Sequence, residues 1–254
     1  MIARTVVIIP TYNEAANIEE LIHRIHALYP DVDILIVDDN SPDGTAGIVR
    51  RLAASDNRIR LITRPGKDGL GRAYIEGFRH VLGCGHAYDL IVEMDADLSH
   101  DPAQLRMLLL AAEHADCVVG SRYIAGGQIA NWARHRRIIS SVGNLYARFF
   151  LGSGIKDWTS GYRVFKRTVL EHIALDSISS KGYLFQIEVL HNCVRQRYAV
   201  AEVPIRFCER KKGRTKLGLM EIWEAVWGVA LMRLLRARED GATPQGRKNV
   251  NARL

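Results

Sequence analysis

Over the first 120 residues the apolar positions follow two alternating periods. Thr5–Ile9 (TVVII) is a short continuous run closed by Pro10. Ile18, Leu21, Ile22, Ile25 and Leu28 then recur at helical spacing, and residues 33–37 (DILIV) form a second run ending in Asp38 and Asp39. Short apolar runs bounded by turn residues predict buried strands, and the 3.6-residue recurrence predicts an amphipathic helix between them. The pattern continues with a helix from about Thr45 to Ala54, a strand at Ile59–Thr63, a helix from about Gly71 to Leu82 and a strand at Leu90–Met94. A helix with Pro102 near its first turn then runs through Leu105, Leu108 and Leu109 to a strand at Asp116–Val119. Such alternation predicts an α/β fold whose parallel sheet is covered by helices on both faces, and sheets of this kind bind ligands beyond the carboxyl ends of their strands.

The residues at those ends are Pro10 to Glu14 (PTYNE), Asp38-Asp39-Asn40, Arg64, Asp95-Ala96-Asp97 and Ser121-Arg122. Polar loops after strands and aspartates that cap helices are ordinary, and Asp101 before Pro102 reads as such a cap. Capping does not account for two acidic clusters, DD and DAD, each closing an apolar strand.

After residue 120 the pattern loosens. A Gly-rich loop at 125–128 (AGGQ) leads to Trp132 and the basic run 134–137 (RHRR), followed by an apolar, aromatic stretch at 138–151 containing Tyr146, Phe149 and Phe150. Helical spacing returns at 166–174 and 183–195, residues 199–205 read as a strand, and 206–216 form a loop with six Lys/Arg and one Glu. Residues 217–235 are apolar over enough length to span a bilayer. Glu221 and Glu224 share a stripe with Gly228, however, and two carboxylates on a lone span would cost several kcal/mol. An amphipathic helix lying in the interface, with Trp223 and Trp227 as anchors and Arg233 and Arg236 near headgroups, fits better; the pattern alone suits a core or partner-facing helix equally. Residues 237–254 are polar and predicted to be a disordered basic tail, leaving one domain at 1–236.

Composition narrows the classes. A chain of 254 residues that is 48% hydrophobic, with ordinary Gly and Pro, is neither disordered nor collagen-like. Its net charge of +7 is unevenly placed: residues 1–120 carry 11 Lys/Arg against 18 Asp/Glu, a net of −7, whereas 121–254 carry 24 against 10, a net of +14. An acidic half suits a metal and a basic half suits anions, whether nucleic acid, an anionic membrane or a phosphorylated substrate. Cys84, Cys117, Cys193 and Cys208 show no CxxC and no zinc spacing, which predicts reduced, mostly buried thiols of a cytosolic chain. The stretch up to Pro10 is too short for a signal-peptide hydrophobic region, so no export is expected.

Asp95 and Asp97 lie one residue apart at a strand end, where side chains i and i+2 of an extended segment point the same way. Carboxylate oxygens suit Mg²⁺ or Mn²⁺, whose shells are completed by water and substrate phosphates. Taken in order, IPTYNE at 9–14, VDDNSPDGT at 37–45, MDADLSHDP at 94–102 and GSRY at 120–123 resemble the family 2 glycosyltransferases of the GT-A fold. RRIISSVGN at 136–144, DWTSGYRVFKR at 157–167, SKGYLFQIE at 180–188 and ERKKGRTKLG at 209–218 further resemble the dolichyl-phosphate (polyprenyl-phosphate) mannose synthases, and the likeness runs from about residue 5 to 235.

The resemblance implies a GT-A, Rossmann-like, mostly parallel sheet with helices on both faces, plus C-terminal amphipathic interface helices at about 138–151 and 217–235. It implies transfer of mannose from GDP-mannose to polyprenyl (dolichyl) phosphate with inversion. Pro10, Tyr12, Glu14, Val37 and Asp39 are then expected to line the nucleoside pocket. Asp95, Ala96 and Asp97 are expected to meet the ribose, the diphosphate and Mg²⁺ or Mn²⁺, with Asp97 the best metal ligand. Arg122, Arg210 and Lys216 match contacts to donor or acceptor phosphates, and Arg136 and Ser140 match positions that hold the lipid phosphate. The Gln common in the family two residues after the second Asp is Ser99 here, which leaves the third protein ligand open, and His100 reads as a support for the turn. The acceptor is already an anion, so catalysis calls for charge neutralisation and positioning more than for a strong base.

Each apolar stretch adjoins a basic run, which fits helices resting in a cytosolic leaflet. The expectation is a cytoplasmic enzyme peripheral to a membrane, or one held by a separate membrane-anchoring subunit. A UDP-glucose or other UDP-sugar polyprenyl-phosphate transferase and a nucleotide-binding membrane scaffold without activity are the alternatives. Nucleic acid is disfavoured, because the basic runs adjoin apolar stretches and no known nucleic-acid module is visible.

Overall fold

The computed structural model describes residues 3–132, 134–152, 154–178, 180, 182–209 and 226–234. Its first part follows the alternation of the sequence: β1 (Thr5–Thr11), α1 (Ile18–Leu28), β2 (Asp33–Asp38), α2 (Thr45–Ser55), β3 (Ile59–Thr63), α3 (Leu70–Gly83), β4 (Leu90–Glu93), α4 (Leu105–Ala111) and β5 (Cys117–Ser121). The second part adds β6 (Gln128–Ala130), α5 (Arg134–Leu151), β7 (Arg163–Lys166), α6 (Arg167–His172), α7 (Tyr183–Arg195), β8 (Val200–Pro204) and β9 (Arg206–Cys208). A seven-stranded sheet runs in the order β3-β2-β1-β4-β7-β5-β8, and β6 and β9 form a separate parallel pair.

The two-residue period of the strands sorts their side chains between two cores. Val6, Ile8, Leu35, Val37 and Ile91 point to one face, where α3, α5, α6 and α7 cover them. Val7, Ile9, Ile34, Ile36 and Val92 point to the other, under α1, α2 and α4. Both faces are therefore dry, which is why the parallel strands read as unbroken apolar runs rather than as alternation. Asp101 caps the turn at Pro102–Gln104 by accepting from the Ala103 N–H, as its position predicts. Gly71 lies in the first turn of α3, where a Cβ would stand 2.5 Å from the Ser180 carbonyl oxygen and 2.9 Å from Phe185. Its role is close packing of α3 on α7, so the Gly69-Leu-Gly71 sequence is a helix start.

Three strands, β6, β7 and β9, were not legible. β7 is inserted antiparallel between β4 and β5. It has four residues with a cation at each end, too short to display alternation, and burial of both neighbours supplies the pairing. The stretch 206–216 begins not as loop but as β9.

Of the predicted helix at 217–235, residues 226–234 are described and are helical through 234. They dock on α5 and α7: Tyr146 donates to the Val226 carbonyl, Arg233 donates to the Phe150 carbonyl, and Val229 is buried. Glu221, Trp223, Glu224, Arg236 and the 237–254 tail lie outside the described residues. No helix among the described residues is long and apolar enough to cross a membrane. All four cysteines are free, with Cys117 and Cys193 buried and Cys84 and Cys208 half-buried.

Candidate active site

The site gathers beyond the carboxyl ends of β1, β2, β4 and β5, as the topology requires. The two acidic residues after β2 have different tasks. Asp38 is fully buried and accepts from Thr11 Oγ1 at 2.8 Å, Ser41 Oγ at 2.6 Å and the Ser41 N–H at 2.9 Å, so it fastens the loop after β2 to β1. Asp39 pairs with Arg64 Nη1 at 2.5 Å, and Arg64 Nε reaches Glu76 at 3.0 Å. Burial pushes the Asp39 carboxyl above its ordinary value, while the Arg64 charge and hydrogen bond and the Asp68 N–H oppose that rise.

Tyr12 and Glu14 stand on the adjoining loop. Lys67 Nζ lies 4.9 Å from the centre of the Tyr12 ring, and Glu14 accepts from Asn17 Nδ2 while its own N–H donates to Thr45 Oγ1. Asn13 and Asn40 both take the left-handed backbone that Asn tolerates and bulkier residues resist. Pro10 is half-buried at the end of β1. The Val37 side chain is fully buried in the core, in ladder register with Pro10 and Ile62, which leaves its main chain at the end of β2 as the part that can face a nucleoside. The Ala96 methyl is likewise buried in the opposite core.

Asp95 and Asp97 are not held by strand geometry. β4 ends at Glu93, and the DAD segment is a turn in which Leu98 has φ 63. Asp97 is 6% exposed and accepts from the Ser99 N–H at 3.0 Å. His100 holds the other side of the turn: its Nδ1 accepts from the Asp95 N–H at 3.1 Å, which puts the ring proton on Nε2, 3.8 Å from the Asp95 carboxylate. Burial lowers its pKa to about 4, the Asp97 charge opposing and the Arg122 charge adding to the fall. The ring is therefore neutral at pH 7, stacked on Tyr162 with centroids 4.9 Å apart, and is the structural support its loop position predicts. The two carboxylates offer hard oxygen donors suited to Mg²⁺ or Mn²⁺, and the buried Ser99 Oγ beside them has no hydrogen-bond partner among the described residues. No third His, Cys, Asp or Glu completes a cluster there among the described residues.

Arg122 is fixed more tightly than its sequence position suggests. Its N–H and Nε donate to Asp157 Oδ2 at 2.9 and 2.8 Å, and Nη2 donates to Asp157 Oδ1 at 2.7 Å and to Thr159 Oγ1 at 2.8 Å. The rings of Tyr123, Trp132 and Phe207 surround the guanidinium at 5.4 to 5.8 Å. Ser140 accepts from the Tyr123 hydroxyl at 2.8 Å, and Arg136 lies 4.3 Å over Trp132 with Glu209 at 3.3 Å. Arg122, Arg136 and Ser140 thus share one aromatic-lined corner. Cys208 N–H donates to the Ser99 carbonyl, so the β6–β9 pair ties this corner to the DAD turn. Arg210 and Lys216 lie outside the described residues. Asp157, Thr159, Tyr123, Trp132 and Phe207 were not singled out in the sequence for this corner; Tyr123, Asp157 and Thr159 stood in recognised motifs, but nothing in spacing ties Asp157 and Thr159 to Arg122.

The geometry of an acidic turn beside a basic, aromatic corner at the strand ends agrees with comparison to known proteins. The sequence profile described as "Glycosyl transferase family 2" matches residues 6–174. The chain belongs to that family. It is 46% identical over 229 residues to a protein named polyprenol monophosphomannose synthase from Mycolicibacterium smegmatis, covering 89% of this chain and 86% of the relative. It is 44% identical over 232 residues to undecaprenyl-phosphate mannosyltransferase from Micrococcus luteus, covering 89% and 95%. A crystal structure of glucosyl-3-phosphoglycerate synthase from Mycobacterium tuberculosis, in complex with Mn²⁺, UDP and glucosyl-3-phosphoglycerate, shares the fold. The TM-score is 0.64 at 21% identity, covering 91% of this chain and 80% of that one. This family 2 glycosyltransferase thus has the α/β sheet and flanking helices that its motifs imply.

Proposed function

We propose that this glycosyltransferase moves mannose from GDP-mannose to the phosphate of a polyprenyl phosphate, inverting the anomeric centre. The carrying observation is that α5 combines a cationic, polar N-terminal part with an exposed apolar face. Arg136 and Ser140 lie in its first two turns beside Arg122, at a helix N-terminus that attracts anions. Farther along, Val142, Leu145 and Phe149 are 58%, 63% and 79% exposed, and Trp227 on the neighbouring helix is 68% exposed. A lipid phosphate needs this pairing of a cationic corner with an uncovered apolar face. The names of the two relatives support the same acceptor chemistry and a mannosyl donor.

On this reading Tyr12, Glu14 and Asp39 receive the nucleoside, with Pro10 and Val37 shaping the wall beneath it. Asp95 and Asp97, with the Ala96 main chain between them, face the diphosphate, and Mg²⁺ or Mn²⁺ held there supplies Lewis-acid stabilisation to the leaving nucleoside diphosphate. Arg122, Arg136, Arg210 and Lys216 offset the charge of the two phosphate groups, and Ser140 orients the acceptor oxygen for in-line attack. The exposed faces rest on a membrane at its cytosolic side. Incubation with polyprenyl phosphate and GDP-mannose, followed by mass spectrometry and anomeric NMR of the organic extract, tests this. The expected product is the lipid phosphate plus one hexose in β linkage; an α linkage would contradict inversion.

A further inference from the structure

The motifs DWTSGYRVFKR and SKGYLFQIE carry residues that neither the phosphate nor the metal contacts use, and the fold brings them together under the DAD turn. Arg163 on β7 is fully buried and faces Glu93 on β4 in the strand register. Its Nη1 donates to the Gln186 carbonyl at 2.6 Å and its Nη2 to the Trp158 carbonyl at 2.8 Å, joining α7 to the turn before β7. The Gln186 side chain is only 2% exposed and faces Glu93. Neither atom of its amide completes a hydrogen bond of normal geometry among the described residues, and the same holds for both Glu93 carboxyl oxygens, Arg163 Nε and Tyr74 Oη. Buried polar atoms in such number are normally satisfied, by one another or by ordered water.

Gly161 shows where the amide leads. A methyl group on it would stand 3.6 Å from Gln186 Nε2, 3.6 Å from Asp95 Oδ1 and 3.6 Å from His100 Cε1, with no atom nearer. The Gln186 amide and the Asp95 carboxylate thus converge on the point that Gly161 leaves without a side chain, where a water can bridge two polar groups.

We propose that Gln186, its main chain held by Arg163, is a positioning residue for Asp95: its amide reaches the carboxylate through one water seated against Gly161 and fixes the angle at which Asp95 meets the metal and the donor diphosphate. The inference rests on the reading of Asp95 as a donor-site carboxylate. Outer partners of this kind usually change metal affinity or activity by about 10- to 100-fold.

The test uses the full chain with Gln186→Leu and Gly161→Ala. The alanine methyl meets its neighbours at ordinary contact distance, and Gly161 does not have the positive φ that would strain it, so this variant should melt with the wild type. Mn²⁺ affinity in the presence of GDP is read by EPR titration, and kcat and the acceptor KM by transfer. Expected are an affinity weakened about 10-fold or more in both variants, a matching fall in kcat and an unchanged acceptor KM. Wild-type Mn²⁺ affinity in both variants, or no Mn²⁺ binding by the wild type, would overturn the inference. A wild type that binds Mn²⁺ with GDP but transfers no mannose would instead overturn the proposed function, and the EPR titration would still judge Gln186.

Discussion

Arg122 and Asp157 form a two-pronged ion pair with side chains 6% and 0% exposed, in which the same carboxylate oxygen also takes the Arg122 main-chain N–H. Burial alone would push the Asp157 carboxyl up. The Arg122 charge and hydrogen bonds outweigh that and hold it below the ordinary range. Asp157 is itself anchored by Glu202, which accepts its N–H at 2.9 Å. The pair converts a flexible cation into a fixed wall of the phosphate corner.

Asp157→Asn should therefore destabilise the fold by about 3–5 kcal/mol, the scale of stranding one partner of a buried pair, as measured by urea denaturation. Because the folded pKa of Asp157 is lowered, its stabilisation is present above the ordinary carboxylate range and is lost as the pH falls through the folded value. The loss of stability on going from pH 6 to pH 3 should accordingly be smaller in Asp157→Asn than in the wild type.

Arg64 is the main influence restraining the rise of the Asp39 pKa. Arg64→Leu should let that pKa climb further, because the charge and hydrogen bond that oppose the effect of burial are removed. If ionised Asp39 receives the base, the acid limb of donor binding moves to higher pH, and the donor KM at pH 6 rises more than at pH 8. An equal rise at both pH values would place the effect of Arg64 elsewhere.

Leu145 and Phe149 are too exposed to support the core. Burying each in a lipid interface is worth about 1.5–3 kcal/mol, so Leu145→Ser and Phe149→Ser should each weaken sedimentation with anionic vesicles by roughly 10- to 100-fold while leaving the melting temperature unchanged. Unaltered vesicle binding would remove the membrane-facing role of α5.

Asp97 is buried at the DAD turn, where it also receives the Ser99 N–H. Asp97→Ala, or chelation of the wild type with EDTA, should lower transfer by about 100-fold or more, the scale of losing a charge-stabilising group in the transition state. Added Mn²⁺ should rescue the chelated wild type and not the variant.

Much of this was legible along the chain, for physical reasons. Strands buried on both faces leave continuous apolar runs, and helices covering them leave a 3.6-residue stripe, so β1 to β5 and α1 to α4 could be read with small errors at their ends. The carboxylates of the site stood out because DD and DAD close such runs. Their division of labour did not stand out: that Asp38 fastens a loop while Asp39 meets Arg64 depends on Thr11 and Ser41, whose types are ordinary in any turn. Asp157 stood in the DWTSGYRVFKR motif, but its task did not stand out, since its link to Arg122 crosses 35 residues. β7 escaped because four residues are too few to show a period.

The most direct test of the account offers GDP-mannose, UDP-glucose and UDP-GlcNAc, each labelled in the sugar, to the protein with polyprenyl phosphate and Mg²⁺ or Mn²⁺, and measures label in the organic phase. Label from GDP-mannose that depends on the lipid phosphate and disappears with Asp97→Ala is the predicted result; label from a UDP-sugar with none from GDP-mannose would contradict it.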